Sequence, residues 1–539
     1  FETMTRPGYW ILLLILAALP FATGLQQGFV YDDHGSVAEN PFLDEPGAFW
    51  KLLTFQTLTD TTIPDGRRPL VVLSYLLDRA VWGVKPFGYH LTNLFLHVIV
   101  VLLVLLLVHA VQPEQGPFPS FAAALLYGLN PVLSEAVQCP AFREDILLTL
   151  FVLLFLLATT RRQTTWLSIP ALALALLAKE SAAIAPVLAL WMWLCFPSTR
   201  PRRTTAVAIV GTGAGLIVLF AALWFKTNTL QAATSTQAAM ALPFPANLLT
   251  APWLWVKELR VLIWPYPLIA DHVITPLTQV SDWRFLGGVA VLLTSVVSAG
   301  ALARRAPWMA FGLGWMLISF APVSNMVPLF NPFAERYLYL IAIGFSLITA
   351  QLLSLLPERN GHPCSAQTDE SSGNACLRRR ALVLALVCAA YTGLTIHRIA
   401  DWTDDFTLWS KTLAQEPRSA RAHTWVGLDC KKRGEIEAAL DHFSEADRLN
   451  PREVSGLINI AVLYGQHGRF AEAEQLLREA VRRRPDKADA HWNLAVALDA
   501  QGRKDESMDE VKKTLELDPR YPAAVACMSQ LARDTEALP

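Results

Sequence analysis

From Tyr9 to Gly24 the chain carries no charged residue, and apolar runs of similar character recur up to about Arg398. A membrane-crossing helix needs roughly 20 mostly apolar residues, and inside a bilayer every backbone polar group has to be satisfied within the protein. This recurrence therefore constrains the fold more than any other feature. Candidate spans are 8–24, 89–111, 119–135, 146–160, 165–178, 181–196, 205–225, 285–303, 307–323, 337–356 and 380–397. Several are short and need neighbouring protein or a locally thinner bilayer. The stretch 246–264 is interrupted by Lys257, Glu258 and Arg260 and edged by Pro252 and Pro265, which reads as an interfacial or re-entrant helix. The first run lacks a small-residue cleavage site after Met4 and reads as a retained anchor.

Arginines set the orientation. With eleven spans and the first residues in the cytoplasm, Arg161-Arg162, Arg200/Arg202/Arg203, Arg304-Arg305 and Arg378-Arg379-Arg380 all fall inside. A twelfth span at 246–264 would send the last two clusters outside. The same count places a mixed-charge set on the opposite face: Asp32, Asp33, Arg67, Arg68, Glu135, Arg143, Glu144, Asp145, Lys179, Glu180, Glu335 and Arg336. One such group at a span end is an ordinary anchor. Several together predict a polar cavity roofed by two outer loops, 25–87 and 226–284. His90, Asn93 and His97 form a polar stripe on one helix face, serving either helix–helix hydrogen bonding or a ligand. The net charge of -1 gives no reason to expect nucleic acid. Seven cysteines without CxxC spacing indicate free thiols rather than a zinc site or a disulfide framework. Cys364 and Cys376 share one loop.

Beyond residue 400 the pattern changes. Pro417, Pro451, Pro485 and Pro519 recur every 34 residues, as do Gly434, Gly468 and Gly502 and the small residues Gly427, Ala461 and Ala495. That period is the tetratricopeptide signature, a helix–turn–helix unit stacked into a superhelix. Three repeats cover about 418–519, half a repeat spans Asp404 to Glu416, and 520–539 supplies a capping helix. Asn459 and Asn493 share one repeat position on the expected concave face, where carboxamides can bind an extended peptide backbone. The first repeat has Trp425 there, and hydrogen bonding within each repeat is the alternative.

The stretches GFVYDDHGSVAENP, GRRPLVVLSYLLDRAVWG, GYHLTNLFLH, LNPVLSEAVQCPAFREDILL, LALLAKESAAIAPVLAL and AERYLYLIAIGF, followed by the repeats, give a resemblance over nearly the whole chain. It resembles the transmembrane and tetratricopeptide-repeat O-mannosyltransferases and their bacterial relatives, which are GT-C glycosyltransferases. Phe142-Arg143-Glu144-Asp145 departs from the family's Gly-Arg-Lys/Ala-Asp but keeps the Arg and the Asp. The resemblance implies an all-α, GT-C-like membrane domain over 1–400 and an extracytoplasmic repeat superhelix over 401–539. It implies transfer of a sugar, mannose being the expected one, from a polyprenyl-phosphate lipid to a Ser or Thr hydroxyl of an acceptor protein held by the repeats.

Residue chemistry fits that reaction. A hydroxyl attacking an anomeric carbon needs a carboxylate base, for which Asp32 and Asp33 are the candidates. The departing phosphate needs cations, for which Arg336 comes first, then Arg143 and Lys179, with Arg67 and Arg68 behind. Glu335, Glu180, Glu135, Asp145 and His90 would orient those cations or contact sugar hydroxyls. No cofactor is required; a divalent metal at Asp32/Asp33 is the alternative that some GT-C enzymes use, and none is expected here. A non-catalytic scaffold and a lipid or sugar transporter are the competing function classes. No Asn-x-Ser/Thr site occurs, which favours a bacterial inner membrane with a periplasmic site over the endoplasmic reticulum.

Overall fold

The computed structural model describes residues 7–58, 60, 63–111, 113–161, 163–231, 242–356 and 370–536. Arg162 and Cys364 lie outside them, so the Cys364–Cys376 loop is not described. Apolar stretches fold into helices α1 (Pro7–Ala22), α2 (Ala48–Leu53), α3 (Pro69–Trp82), α4 (Pro86–Val111), α5 (Pro117–Gly128), α6 (Ser134–Gln138), α7 (Arg143–Thr160) and α8 (Ser168–Ala178). They continue as α9 (Ala185–Cys195), α10 (Arg203–Gln231), α11 (Ala246–Ile263), α12 (Trp283–Leu302), α13 (Pro307–Phe320), α14 (Leu338–Ser354) and α15 (Glu370–Ile399). Every sequence-derived span falls on a helix, and no strand occurs among the described residues. Among the described residues five helical segments are long and apolar enough to cross a membrane: Pro86–Val111, Arg203–Ala222, Trp283–Leu302, Glu335–Ser354 and Leu377–Trp402. A sixth candidate is α5 with the turn and helix after it, bent by 49°. The remaining apolar helices are shorter or, like α7, begin on charges.

One apolar core joins most of these helices, with Trp255, Trp315, Phe155, Phe311 and Leu188 buried in it, while α2 and α3 pack around Leu52, Val71, Val72 and Tyr75 in a second. Water does not drive helices together inside a bilayer, so close backbone approach has to. A Cβ on Gly312 or Gly344 would collide with the other glycine's carbonyl oxygen. That pair lets α13 and α14 touch, and Trp315 Nε1 donates to Leu340 O (2.8 Å) across the same contact.

The half repeat is α16 (Asp405–Gln415). Three helix pairs follow: α17 (Ala420–Lys432) with α18 (Ile436–Leu449), α19 (Ser455–Gln466) with α20 (Phe470–Arg483), and α21 (Ala488–Ala500) with α22 (Lys504–Leu517); α23 (Pro522–Glu536) stacks last. The 34-residue period has a local cause. Gly434, Gly468 and Gly502 turn the chain between paired helices at φ +78°, +75° and +79°, a region side chains disfavour. A Cβ on Gly427 would meet the Phe443 ring at 2.7 Å, which explains the small-residue position.

The array is fastened to the membrane half at both ends. Near the start, Ala270 N donates to Thr412 Oγ1 (3.2 Å) and Ser419 Oγ to Asp271 Oδ2 (2.6 Å). At the far end Arg520 pairs with Asp60 of the first outer loop (2.7 Å).

Candidate active site

Tyr31-Asp32-Asp33-His34 follows α1 and opens a single π-type turn over His34–Ala38. Tyr31 sits at φ +59°, a left-handed conformation that is rare for an aromatic residue. The two carboxylates then diverge. Asp33 is fully buried and accepts from Val30 N (3.2 Å), Ala141 N (2.7 Å) and Cys139 Sγ (3.2 Å). Loss of water around it pushes its carboxyl up to about 7, against the pull of those donors. Asp33 therefore shapes the loop by tying it to the turn between α6 and α7. Asp32 is partly exposed, and its carboxylate makes no hydrogen bond or ion pair with any described residue. Burial raises its pKa too, while the nearby positive charges of Arg336 and Arg421 lower it.

Arg336 is clamped. Its backbone N–H donates to Glu135 Oε2 (2.9 Å), its Nη1 to Glu135 Oε1 (2.5 Å), and its guanidinium lies over the Phe142 ring at 4.0 Å. Beside it runs a second charged row. Arg68 pairs with Glu144 (3.0 Å) and reaches Glu180 (3.7 Å), while Lys179 pairs with Asp145 (2.6 Å), lies 3.7 Å from Glu144 and stands 5.7 Å from the centre of the Tyr337 ring. Arg67 lies half-buried near Glu180. So the fold gathers Asp32, Glu135, Arg336, Arg68, Glu144, Asp145, Lys179 and Glu180 at one end of the helices.

Other expected site residues are used elsewhere. Arg143 is completely buried, donating to Asn93 Oδ1 (2.6 Å), Ser74 Oγ (3.0 Å) and Tyr89 O (3.2 Å) and pairing with Asp78 (2.6 Å). A guanidinium so committed is a brace between α3, α4 and α7, which corrects its assignment to the donor phosphate. Glu335 is also fully buried, accepting from Ile269 N (2.5 Å), His272 (3.1 Å) and Arg398 (3.0 Å). It fastens the second outer loop to α15 and touches no cavity cation among the described residues. In the polar stripe Asn93 and His97 bond helix to helix, Asn93 Nδ2 donating to Val137 O (3.2 Å) and His97 bridging Tyr339 OH (2.9 Å) and Gly128 O (3.2 Å), while His90 contacts Gly28 O of the loop after α1 (3.3 Å). Asn459 and Asn493 donate to carbonyls of their own helices, Ser455 O (2.9 Å) and Asp489 O (2.8 Å). That is the hydrogen bonding within repeats that the sequence left open, and it uses one of the two N–H donors of each carboxamide. Asp33 faces inward on three donors, so the two carboxylates of the pair meet different surroundings. Among the described residues no three His, Cys, Asp or Glu side chains are placed to share an ion.

Two participants come from the repeats, and the sequence reading missed both. Arg421 on α17 donates to Tyr31 OH (3.2 Å) and Asn331 Oδ1 (2.7 Å), pairs with Asp271 (3.2 Å) and lies 5.3 Å from the Phe330 ring centre. Asp405, at the start of α16, accepts from Tyr31 N (2.8 Å) and pairs with His34 Nε2 (2.8 Å). Neither position belongs to the 34-residue pattern, so nothing in the repeat signature pointed to them.

A tetratricopeptide repeat family description matches residues 458–522. Protein O-mannosyl-transferase TMTC3 of Mus musculus is 22% identical over 96% of this chain, and TMTC1 of Homo sapiens is 24% identical over 95%. The chain is similar to these protein O-mannosyl-transferases over nearly all of its own length. It spans 61% and 62% of their own lengths. Among solved structures, the archaeal oligosaccharyltransferase AglB from Archaeoglobus fulgidus aligns with 74% of this chain and 56% of its own at 13% identity. Its TM-score is 0.39, too distant to carry a statement about chemistry.

Proposed function

We propose that the chain transfers a sugar, mannose by resemblance, from a polyprenyl-phosphate lipid to a protein Ser or Thr hydroxyl on the extracytoplasmic face. The observation that carries this reading is Asp32: an unpaired, partly desolvated carboxylate in a loop just beyond an apolar helix, close to Arg336 and Arg421. In the reaction, the acceptor oxygen attacks the anomeric carbon and its proton passes to the Asp32 carboxylate. The bond from sugar carbon to phosphate oxygen breaks, and its electron pair leaves with the lipid phosphate. Arg336 offsets the charge that develops there, with Lys179 and Arg68 along the same wall. Glu135, Glu144, Asp145 and Glu180 hold those cations in place, and no step calls for a cofactor. The outward face follows from the arginine bias of the opposite loops, and a periplasmic site in a bacterial inner membrane is the reading we favour. The repeats supply the acceptor-binding surface.

The test is reconstitution of the full chain in liposomes with radiolabelled polyprenyl-phosphate mannose and a Ser/Thr-containing peptide. Label is expected on the peptide. Label that stays on the lipid in its original leaflet overturns the reading in favour of a scaffold. Label that crosses the bilayer without a new glycosidic bond overturns it in favour of a transporter.

A further inference from the structure

Tyr31 holds a left-handed backbone conformation that persists only where its surroundings over-determine it. The repeat region supplies most of those surroundings. Asp405 takes the Tyr31 N–H and the His34 ring. The Trp409 and Trp425 rings stand edge-on to the Tyr31 ring at centroid distances of 5.1 and 6.2 Å. Arg421 donates to the Tyr31 hydroxyl and is itself held by Asn331 and Asp271, so it is anchored from the membrane half. Its positive charge also acts on Asp32, together with that of Arg336.

We infer that the repeat array is one wall of the reaction site as well as a surface for partners, with Arg421 and Asp405 as positioning residues that fix Tyr31 and thereby aim Asp32. The array and the Asp32 loop then behave as one body. Transfer to a short hydroxyl acceptor, too small to reach the later repeats, depends on the first repeat all the same. The effect on rate rests on the transferase reading above; the effect on the loop does not.

The test uses the full chain as wild type, Arg421→Gln, Arg421→Lys, Asp405→Asn and the control Arg469→Gln, whose side chain pairs with exposed Glu472 far along the array. Three quantities are read: hydrogen exchange of amides 30–36, thermal midpoint, and kcat and KM for a short Ser/Thr peptide. Arg421→Gln and Asp405→Asn are expected to speed exchange over 30–36 by about tenfold or more, with the rest of the chain unchanged. Their kcat falls about 100-fold, the size of effect a small misplacement of a reacting group produces, at unchanged KM. Arg421→Lys restores only part, because one ammonium cannot bridge Tyr31, Asn331 and Asp271 as a guanidinium does. The control matches wild type. Unchanged exchange over 30–36 in both variants overturns the inference. So does a loosened loop with undiminished kcat, or exchange rising throughout the chain, which marks a general structural role. If the wild type transfers no sugar, the transferase reading fails, and the exchange data still decide whether the array holds the loop.

Discussion

The Val30 and Ala141 amides and the Cys139 thiol converge on Asp33, which leaves Asp32 as the member of the pair open to a substrate. From sequence the two were interchangeable, because adjacent residues share every local signal and differ only in what the fold brings against them. Asp33→Asn should act mainly on stability. An amide places N–H against a backbone donor, and a buried unmet donor costs about 1–3 kcal/mol. The expected outcome is a lower thermal midpoint in detergent. The same region should respond to pH in one direction. Between the ordinary carboxylate value and about 7, folded Asp33 keeps a proton that the unfolded chain has released, so stability falls as pH rises through that window. The Asp405 bond raises His34 above its ordinary value, so its contribution is present at acid pH and is lost as pH climbs through the folded value. Protection of amides 30–36, taken relative to their intrinsic exchange rates and followed from about pH 5 to about pH 9, should therefore fall as pH rises. Asp405→Asn should remove the His34 part and leave the Asp33 part.

At the scale of helices and turns, much was legible. Apolar runs placed the helices, though among the described residues only five or six of the eleven expected spans are long and apolar enough to cross a membrane. The proline, glycine and small-residue period placed the repeats. Each signal rests on a local requirement: hydrocarbon thickness, a left-handed turn and a helix crossing. Partners were not legible. Arg143 and Arg336 are both basic residues at the start of a helical segment in sequence. One is locked among Asn93, Ser74, Tyr89 and Asp78, and the other is clamped by Glu135 within reach of Asp32, a distinction set by three-dimensional packing alone. The close crossing of α13 and α14 gives a test of this level. Gly344→Leu places a side chain where Gly312 O and Met316 stand. The cost should be at least about 1–3 kcal/mol, since no smaller neighbour is there to yield. It should be read as a lower detergent melting temperature and, because α14 follows directly on Arg336, as reduced transfer.

Across the whole molecule, carboxylates and cations from the first outer loop, the α6–α7 region, the C-terminal end of α8 and the start of α14 meet at one end of the helical bundle, under an array fastened at Asp271 and at Asp60. Four arginine clusters of the opposite loops were read to lie away from this end, and at that other end Arg304 and Arg305 line a cavity of about 560 Å³ with Leu194. On the proposed reading this convergence turns separate charged span ends into one site, with Asp32 as its reactive centre. The most direct test is transfer of labelled sugar from the polyprenyl-phosphate lipid to a Ser/Thr peptide by Asp32→Asn beside the wild type, with thermal midpoints recorded for both. Asp32→Asn should fold and insert with an unchanged midpoint and lose transfer by at least about 1000-fold, near the upper range for removing a proton-transfer group. Transfer within a few-fold of wild type from a well-folded Asp32→Asn protein would contradict the account.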